Sequence, residues 1–356
     1  MNRKKILVLE PYFGGSHQNF LAGLQNHLPF AFHLVTLPAR KWKWRMRFSA
    51  PYFARILSAA KRYDAVLCST FVDVATLRGL GPLWLREVPV LTYFHENQFV
   101  YPVQAEHERD LHFAVTNLTT ALASDRVAFN SCYNMESFFK GCSEIEKINP
   151  DMKTGFISEL RKKSVVLYPG LDFAGIDGTS SRAGREGNSP VIIWNHRWEY
   201  DKNPDFFFQT LFQLDELKGD YKLVILGQAF SQQPEIFEKT RQKLGHRLLH
   251  MGYVPERNKY YQWLREGALV ISTASHEFYG MSVIEAVRAG CRPLLPKRLS
   301  YPELFPAEFL YDDEKLLPRL KDGLLDKRLD DARARELTDR FSWAALAGRY
   351  KDWLSP

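Results

Sequence analysis

Two glutamates stand eight positions apart in the stretch SHEFYGMSVIEAVRAG, one on each side of a turn. Glu277 follows the strand-like run ALVISTA, and Glu285 lies in the helix-forming run after the turn. Ser282 and Glu285 have the spacing S-x-x-E of a capping box, which gives the second glutamate a structural explanation. Glu277 has no such explanation. We therefore expect Glu277 to bind neutral hydroxyl groups, and Glu285 either to bind a sugar diol or to cap the helix.

The turn between these glutamates is suited to binding an anion. Gly280 lets the backbone bend close to a ligand, and the helix that follows presents N–H groups at its N-terminus. We expect this turn to bind a ligand that contains phosphate. The residues of the turn are Phe278, Tyr279, Gly280, Met281 and Ser282.

A glycine pair near the start of the chain predicts a second place where backbone approaches a phosphate. Gly14 and Gly15 directly follow the first predicted strand and precede a helix-like run. Backbone N–H groups at the N-terminus of such a helix can contact a phosphate. An ordinary tight turn is the alternative, because the G-x-G-x-x-G fingerprint of dinucleotide-binding proteins is absent here.

Two cations follow the first predicted strand of the second half, in the stretch WNHRWEYDKNP. Arg197 and Lys202 stand five positions apart, and an arginine fork with a lysine point charge is suited to clamping one diphosphate. The alternative is a solvated loop in which Glu199 or Asp201 neutralises them. The sequence contains no D-x-D triplet, the carboxylate pair that usually holds a metal ion on a nucleotide-sugar. We therefore expect no metal.

A cluster of hydrogen-bonding side chains follows another predicted strand, in YFHENQFVYP. His95, Glu96 and Asn97 come directly after the apolar run that ends near Thr92. Ligands bind doubly wound sheets at the carboxyl ends of the strands, so this position favours a role in binding. The alternative for a single histidine is a structural one, with its ring bonded to a backbone carbonyl.

Short apolar runs alternate with polar turns and helix-like runs along the 356 residues. This alternation predicts an α/β protein with parallel sheets and crossover helices. A stretch rich in Gly, Ser and charge, Asp172 to Pro190, separates two series of such runs. We predict a first domain over residues 1–171, a linker over 172–190, a second domain over 191–337 and a C-terminal helix over 338–356 that packs back on the first domain.

Composition limits the class of protein. The formal net charge of +7 indicates an anionic partner, such as phosphates, nucleic acid or an acidic membrane surface. Four cysteines without a C-x-x-C pair argue against a zinc site or a disulfide framework. No run approaches the roughly 18 apolar residues of a membrane span, and the N-terminal apolar run is too short for a signal peptide. We expect a soluble cytoplasmic protein.

Taken together, these residues resemble the retaining glycosyltransferases of family 4. That resemblance implies the GT-B fold, in which two doubly wound, Rossmann-like α/β domains face each other across a cleft. A closer resemblance is to the tRNA-queuosine alpha-mannosyltransferase family, and it extends from residue 9 to about residue 346. The blocks that carry it are LEPYFGGSH, LPARKWKWR, YFHENQFVYP, FNSCYNMESF, HRWEYDKNP, ISTASHEFYGMSVIEAV and FSWAAL.

The resemblance implies transfer of mannose from GDP-mannose to the cyclopentene diol of queuosine in the anticodon of aspartate tRNA, with retention at the anomeric carbon. It implies that Glu277 holds sugar hydroxyls, that Glu285 holds the ribose and that His95 lies against the sugar. Arg197 and Lys202 would then hold the diphosphate. Val254 falls where such enzymes contact the base through backbone. The residues alone leave GDP or UDP, and mannose or glucose, open.

A basic and aromatic run, ARKWKWRMRF, is assigned to the acceptor. Its cations alternate with rings, so an extended segment would place charge on one face and rings on the other. Such a segment is suited to a splayed anticodon loop, through phosphate contacts and base stacking. The residues assigned to acceptor tRNA are Lys41, Trp42, Lys43, Trp44, Arg45, Arg47, Glu96 and Asn97.

Three alternatives stay open for this run and for the chain. The run could be a solvated loop above packed tryptophans. It could lie on an anionic membrane, as in membrane-associated GT-B lipid glycosyltransferases, although we expect no stable membrane association. The chain could also be a non-catalytic RNA-binding protein with a vestigial donor site.

Overall fold

The computed structural model describes residues 3–59, 63–102, 110–148, 150–152, 154–179, 189–228 and 234–355. The chain divides into two compact units, Met1–Leu171 with Trp343–Pro356, and Asp172–Ser342. Among the described residues, no helix is both long enough and apolar enough to cross a lipid bilayer.

The first unit is built on a parallel sheet, with six strands in the described residues in the order β2-β1-β3-β4-β5-β6. Its strands are β1 Lys5–Phe13, β2 Ala31–Pro38, β3 Ala65–Ser69, β4 Val90–Phe94, β5 Arg126–Phe129 and β6 Ser164–Val166. Its helices are α1 Gly15–His27, α2 Trp42–Ile56, α3 Val74–Leu80, α4 Leu111–Ala123, α5 Cys132–Ile148, α6 Phe156–Lys162 and α15 Trp343–Trp353. Strand order reverses between β1 and β3, and such a reversal is where open α/β sheets bind ligands.

The second unit contains another parallel sheet, whose described strands number six in the order β12-β11-β10-β7-β8-β9. Its strands are β7 Val191–Asn195, β8 Lys222–Leu226, β9 Leu248–Gly252, β10 Leu269–Ile271, β11 Arg292–Pro296 and β12 Leu310–Tyr311. Its helices are α7 Ala174–Asp177, α8 Pro204–Glu216, α9 Ile236–Leu244, α10 Arg257–Glu266, α11 Met281–Arg288, α12 Tyr301–Leu304, α13 Leu316–Leu325 and α14 Asp331–Thr338. This is the strand order of a Rossmann sheet, and it reverses between β7 and β10.

Both sheets are buried on both faces, as parallel sheets covered by helices usually are. The central strands therefore read as continuous apolar runs, and Val191–Asn195 is buried at every position. Strand β1 is an exception to this pattern, because Glu10 is only 2% exposed among apolar neighbours. A buried carboxylate needs partners, which identifies the end of β1 as a place to look for a site.

The sequence prediction of an α/β protein with parallel sheets is confirmed. Strands β2 and β12 are the ones that the pattern of apolar runs does not indicate. Strand β2 is an edge strand whose residues are half-buried or exposed, so its run carries no strong apolar signal. Strand β12 has two residues and lies at the other sheet's edge.

The stretch predicted as a linker starts inside the second unit. Residues Ala174–Asp177 form α7, and Arg288 donates to Asp177 at 2.7 Å through both Nε and Nη2. Residues 180–188 of that stretch lie outside the described ranges. At the other end, residues 338–342 belong to the second unit, and helix α15 belongs to the first.

Helix α15 is bound into the first unit mainly by aromatic packing. The Trp343 ring lies so close to two glycines that a Cβ built on Gly23 or on Gly170 would stand 2.3 Å from it. The buried Tyr350 hydroxyl donates to the carbonyl of Tyr168 at 2.9 Å and lies 3.2 Å from the hydroxyl of Tyr93 in β4. The C-terminal helix therefore completes the core of the first unit.

Replacing Gly23 tests this packing. Gly23→Ala adds a methyl group where the Trp343 ring already lies, so we expect a loss of about 1–3 kcal/mol in the free energy of unfolding. Gly348→Ala is the matched control: it lies on the exposed side of α15 and a Cβ there meets no described atom within 4 Å. The control should be neutral or stabilising by up to about 1 kcal/mol. Equal unfolding midpoints in denaturant for both variants would contradict the packing.

Candidate active site

A buried ammonium group lies where β7 and β10 of the second unit end. Lys202 follows β7 in a short 3₁₀ turn, and its side chain is 7% exposed. Its Nζ donates to the carbonyl of His276 at 2.7 Å and lies 3.0 Å from Asp201 Oδ2 and 3.3 Å from Glu277 Oε2. A lysine ammonium has three N–H donors, so these three acceptors account for all of them.

Charge and burial act against each other on this group. Burial disfavours the ammonium, but the carboxylates of Glu277 and Asp201 outweigh it and raise the pKa of Lys202 above its ordinary value. Burial would likewise raise the pKa of Glu277, but Lys202 and the backbone N–H of Tyr279 help to lower it to about 2. Both groups are therefore charged near neutral pH, and the site holds an ionised Glu277.

Two imidazoles beside this network are neutral. His196 and His276 are buried, and burial together with the charge of Lys202 lowers the pKa of each to about 4. The ring of His276 stands edge-on to Phe278 at 4.4 Å between centroids. The positive charge at the ends of these strands therefore comes from Lys202 and Arg197 rather than from histidine.

Arg197 is the more accessible cation of the predicted pair. Its side chain is 53% exposed and its Nη2 lies 3.0 Å from Glu199 Oε2. The positive charge of Arg197 lowers the pKa of Lys202 and so counteracts the carboxylates, which indicates that the two cations are neighbours. Both internal pairs considered from the sequence, with Glu199 and with Asp201, are present. Whether the pair also holds a diphosphate stays a prediction.

The turn before α11 depends on Gly280. Its φ of +98° is in the left-handed region, and a Cβ would stand 3.3 Å from the Tyr301 ring, so other residues would be strained there. The helix begins at Met281 with no side-chain cap. The helix therefore begins directly after the loop that carries Glu277.

The capping-box prediction is wrong. The N-cap of α11 is Gly280 rather than Ser282, so the S-x-x-E spacing is out of register by two residues. Ser282 Oγ instead donates to the carbonyl of Asn195 at 2.8 Å. Glu285 accepts from the Tyr260 hydroxyl at 2.7 Å and from Arg257 Nη2 at 3.4 Å. Because Glu285 does not cap the helix, a capping box does not explain why a glutamate stands at this position.

Glu285 is part of a second chain of contacts. Burial raises its pKa, although Tyr260 and Arg257 oppose that shift. The Tyr260 hydroxyl also accepts from Asn195 Nδ2 at 2.7 Å, which connects the helix to the end of β7. Val254 lies half-buried in the loop that leads from β9 to α10, the helix that carries Tyr260 and Arg257.

A second buried charge cluster lies at the switch point of the first unit. His17 of α1 has its Nδ1 3.0 Å from Glu10 Oε2 and its Nε2 3.5 Å from Glu96 Oε2. Glu10 also accepts from Ser69 Oγ at 3.1 Å, and Glu96 accepts from Thr70 Oγ1 at 3.0 Å. The imidazole is therefore held between two carboxylates.

Within this cluster the two histidines have opposite charge states. Burial alone would lower the pKa of His17, but Glu10 and Glu96 outweigh it and raise the pKa to about 10. His95 lies over His17 with 4.0 Å between ring centroids. Burial and the positive charge of His17 lower the pKa of His95 well below its ordinary value. A fixed imidazolium therefore supports a neutral imidazole.

Three side chains of metal-ligand type lie close together in this cluster. Ligand atoms of Glu10, His17 and His95 lie within 4.8 Å of one another. Both ring nitrogens of His17, however, already lie near carboxylate oxygens, Nδ1 near Glu10 and Nε2 near Glu96. An imidazolium donates from both nitrogens and has no lone pair for a metal ion. The arrangement therefore fits a proton on His17 better than an ion.

One predicted acceptor residue has a structural role. Asn97 is 0% exposed, and its Nδ2 lies within hydrogen-bond distance of the Asn134 carbonyl, Asn134 Oδ1 and Ser137 Oγ. Its Oδ1 accepts from the Phe99 backbone N–H at 3.1 Å. Asn97 is thus fully engaged inside the first unit, and its assignment to tRNA is wrong.

The glycine pair begins α1. Gly14 is the N-cap and Gly15, with φ of +52°, is the first helical residue, so His17 enters the charge cluster from the first turn of that helix. A Cβ on Gly14 would stand 2.7 Å from the Cβ of Ala39. The pair therefore lies close to the loop that precedes α2.

The prediction of an extended basic segment is also wrong. Residues Trp42–Ile56 form α2, and the alternation of charge and ring is too short to select a strand over a helix. On a helix these residues point in several directions. Trp42 lies 5.3 Å from the ring of Phe113, and Arg47 lies 4.6 Å above the same ring. Trp44, by contrast, is 72% exposed.

Sequence reasoning missed most of the partners of the residues that it found. A buried charge inside an apolar strand, Glu10 in KILVLEPYF, was an available signal for the first cluster. No comparable signal marks the others, since they become neighbours only when separate loops meet. The missed residues are Glu10, His17, Ser69 and Thr70 in the first unit, and Asn195, Arg257, Tyr260 and His276 in the second.

Comparisons with known proteins agree on one family. Residues 5–171 match the family model described as tRNA-queuosine alpha-mannosyltransferase N-terminal, and residues 178–310 match glycosyl transferases group 1. The chain is 36% identical over 361 residues to the tRNA-queuosine alpha-mannosyltransferase of Drosophila melanogaster, covering 98% of this chain and 95% of that protein.

Solved structures share the fold at low sequence identity. Sucrose-phosphate synthase from Thermosynechococcus elongatus has a TM-score of 0.71 at 15% identity, with 98% of each chain covered. HepE of Anabaena, in complex with UDP, has a TM-score of 0.70 at 16% identity, with 99% of each chain covered. These likenesses show the GT-B fold.

The charge on His17 predicts a pH dependence of stability. Its folded pKa of about 10 is above the ordinary 6.5, so its stabilisation is complete below pH 6.5 and is lost as pH rises through 10. His17→Gln should therefore differ most from wild type near pH 6, and the difference in free energy of unfolding should shrink towards pH 10. His112→Gln, at an exposed imidazole, is the control. A difference that grows with pH would contradict the charge assignment.

Proposed function

Because this chain belongs to the tRNA-queuosine alpha-mannosyltransferase family and is a glycosyltransferase, we propose that it transfers mannose from GDP-mannose to queuosine in tRNA. The acceptor group is the cyclopentene diol of queuosine in the anticodon of aspartate tRNA, and the anomeric configuration is retained. The observation that carries this proposal is the ionised Glu277 held by Lys202 at the switch point of a Rossmann sheet.

The donor is bound by the second unit. Arg197 and the first N–H groups of α11 contact the diphosphate, since an exposed guanidinium and a helix N-terminus both favour an anion. Glu285 accepts from the ribose hydroxyls, and the backbone near Val254 contacts the base. The turn from Phe278 to Ser282 shapes the space for the sugar and phosphate.

Lys202 binds Glu277 before the donor arrives and a phosphate oxygen of the donor afterwards. Its three donors are occupied in the described structure, and Glu277, at 3.3 Å, is the most distant acceptor. A phosphate oxygen that takes the place of Glu277 on Lys202 leaves a carboxylate oxygen available to the sugar hydroxyls. Donor binding thus turns Glu277 from an internal partner of Lys202 into a ligand of the sugar.

Retention is achieved on one face of the sugar. The bond between the anomeric carbon and the phosphate oxygen breaks, the acceptor oxygen bonds to that carbon, and its proton passes to the leaving phosphate. Negative charge grows on the phosphate, where Arg197, Lys202 and the N-terminus of α11 stabilise it. His95 supplies a neutral imidazole to the transferred sugar.

The acceptor is bound by the basic region of the first unit. Lys41, Lys43 and Arg45 supply charge to tRNA phosphates, and Glu96 offers a carboxylate to the acceptor hydroxyls. Because we propose a tRNA acceptor, we expect the protein to act in the cytoplasm, without stable membrane association. Charge on the diphosphate is met by protein groups, so the reaction needs no metal.

Transfer to defined tRNA tests the function. Protein is incubated with labelled GDP-mannose and with tRNA that either contains or lacks queuosine, with UDP-glucose as the alternative donor. We expect label only in queuosine-containing tRNA and only from GDP-mannose. Equal labelling of tRNA that lacks queuosine, or no transfer to either tRNA, would contradict the proposal.

Removing the charge of Glu277 should separate catalysis from nucleotide binding. Glu277→Gln loses a contact to the sugar, so turnover should fall by roughly 10²-fold or more. Affinity for GDP, measured by calorimetry, should change little because GDP carries no mannose for Glu277 to contact. Glu308→Gln, at a carboxylate 50% exposed on the same unit, is the control and should keep wild-type turnover. Undiminished turnover of Glu277→Gln would remove this residue from the site.

Chelation tests the charge compensation. With no metal in the mechanism, the initial rate of transfer should be the same with and without excess EDTA. A rate that is abolished by EDTA and restored by Mg²⁺ or Mn²⁺ would show that a cation, rather than Arg197 and Lys202, balances the diphosphate.

A further inference from the structure

A long part of the first unit carries no acidic residue. Between Glu10 and Asp64 the sequence has no Asp or Glu, and helix α2 with the loop before it lies inside this interval. The cations of the loop and helix are Arg40, Lys41, Lys43, Arg45, Arg47 and Arg55. Among the described residues, no carboxylate comes within ion-pair distance of any of these six. The positive charge of this surface is therefore not neutralised within the described part of the chain.

Aromatic rings form a row on the outer face of α2. Trp44, Phe48 and Tyr52 are four residues apart, which places them on one side of a helix. They are 72%, 63% and 40% exposed. Other positions anchor α2, since Met46 and Phe53 are buried, and Ser49 Oγ, beside the ring row, donates to the carbonyl of Phe71 at 2.8 Å. The ring row thus belongs to a firmly packed helix and is open to solvent.

The ring row lines a pocket together with cations. The pocket has a volume of about 590 Å³ and is lined by Leu37, Arg40, Lys41, Trp44, Arg45, Phe48, Ser49 and Tyr52. Arg45 is held at its rim by the carbonyl of Pro38, to which Nη2 donates at 3.3 Å. Flat apolar walls and three cations therefore surround one concave space.

We propose that this pocket binds unstacked bases of a single-stranded RNA segment, which stack on Trp44, Phe48 and Tyr52. Its cations contact the phosphates that join those bases. This inference rests on the proposed tRNA acceptor and adds a site for loop nucleotides beside the modified one. The residues of the basic segment then have two different roles. Trp42 and Arg47 pack against Phe113, whereas Trp44 is available for stacking.

Three features favour RNA over other occupants. Bases stack on any aromatic ring and RNA phosphates complement the unneutralised cations, so one ligand uses both parts of the pocket. A helix that lies on a membrane inserts a protruding apolar face, whereas here the rings line a concavity that also contains Arg40 and Arg45. A second copy of the chain would bring the same uncompensated positive charge to the contact.

Single replacements of the rings test the proposal by tRNA binding without donor, measured by fluorescence anisotropy. Trp44→Ala, Phe48→Ala and Tyr52→Ala should each weaken binding by about five- to 100-fold, the range for loss of one stacked base. Their melting temperatures should stay near that of wild type because the rings are exposed. Leu83→Ala is the matched control, since Leu83 is 72% exposed in the same unit, as Trp44 is. It should bind tRNA as wild type does.

Two further variants distinguish stacking from general apolar contact and from charge. Phe48→Tyr should keep tRNA affinity, and Phe48→Leu should lose it although Leu is apolar. The dependence of affinity on salt should be unchanged in the ring variants. In Lys41→Gln with Arg45→Gln, the salt slope should fall by about one unit per lost phosphate contact.

The opposite results would overturn the proposal. Unchanged tRNA affinity in all three ring variants would mean that bases bind elsewhere. Flotation of wild type with phosphatidylserine vesicles, kept by Phe48→Leu and lost by Phe48→Ala, would assign the pocket to a membrane. A wild-type dimer in sedimentation that Trp44→Ala converts to monomer would assign it to a second copy. Because the assay contains no donor, these outcomes are independent of whether mannose is transferred.

Discussion

A buried ammonium group sets the geometry of the second unit. Lys202 is surrounded by Asp201, Glu277 and the carbonyl of His276, and without its carboxylate partners its charge would be buried and uncompensated. The loop after β7 and the loop after β10 must therefore lie against each other. The hydroxyl of Thr273 donates to the carbonyl of Lys202 at 3.0 Å, and the N–H of Ser275 donates to that of Asp201 at 2.9 Å. Positioning Glu277 and neutralising Lys202 are thus one structural event.

The first unit meets the same requirement with the signs reversed. There a carboxylate, Glu10, is buried inside a strand, and His17 supplies the positive charge. Both clusters lie at the reversal of strand order, where neighbouring strands lead their loops apart and leave a crevice at the sheet's edge. Burial lowers the pKa of the histidine in each cluster. For His17 the carboxylates of Glu10 and Glu96 outweigh burial and raise the pKa, whereas the pKa of His196 stays lowered.

Candidate site residues that directly follow apolar runs could be found from the sequence, because a polar side chain at the end of a buried strand is seldom needed for packing. Lys202, Glu277, Gly280 and His95 were found in this way. Asp201 was considered as a partner because it is adjacent to Lys202 in the sequence. Most other partners could not be found, since residues such as His17 come from another element. Local sequence patterns gave wrong predictions where tertiary contacts determine the structure. Glu285 has the spacing of a capping box but accepts a hydrogen bond from Tyr260. The alternation in KWKWR is too short to distinguish a strand from a helix.

The most informative measurement is the structure of the protein with GDP bound. We predict that the diphosphate lies within hydrogen-bond distance of the Arg197 guanidinium, the Lys202 ammonium and the first N–H groups of α11. We also predict that Glu277 has separated from Lys202. A diphosphate bound away from these groups, or held through a metal ion on the carboxylates of Asp201 and Glu277, would contradict the account.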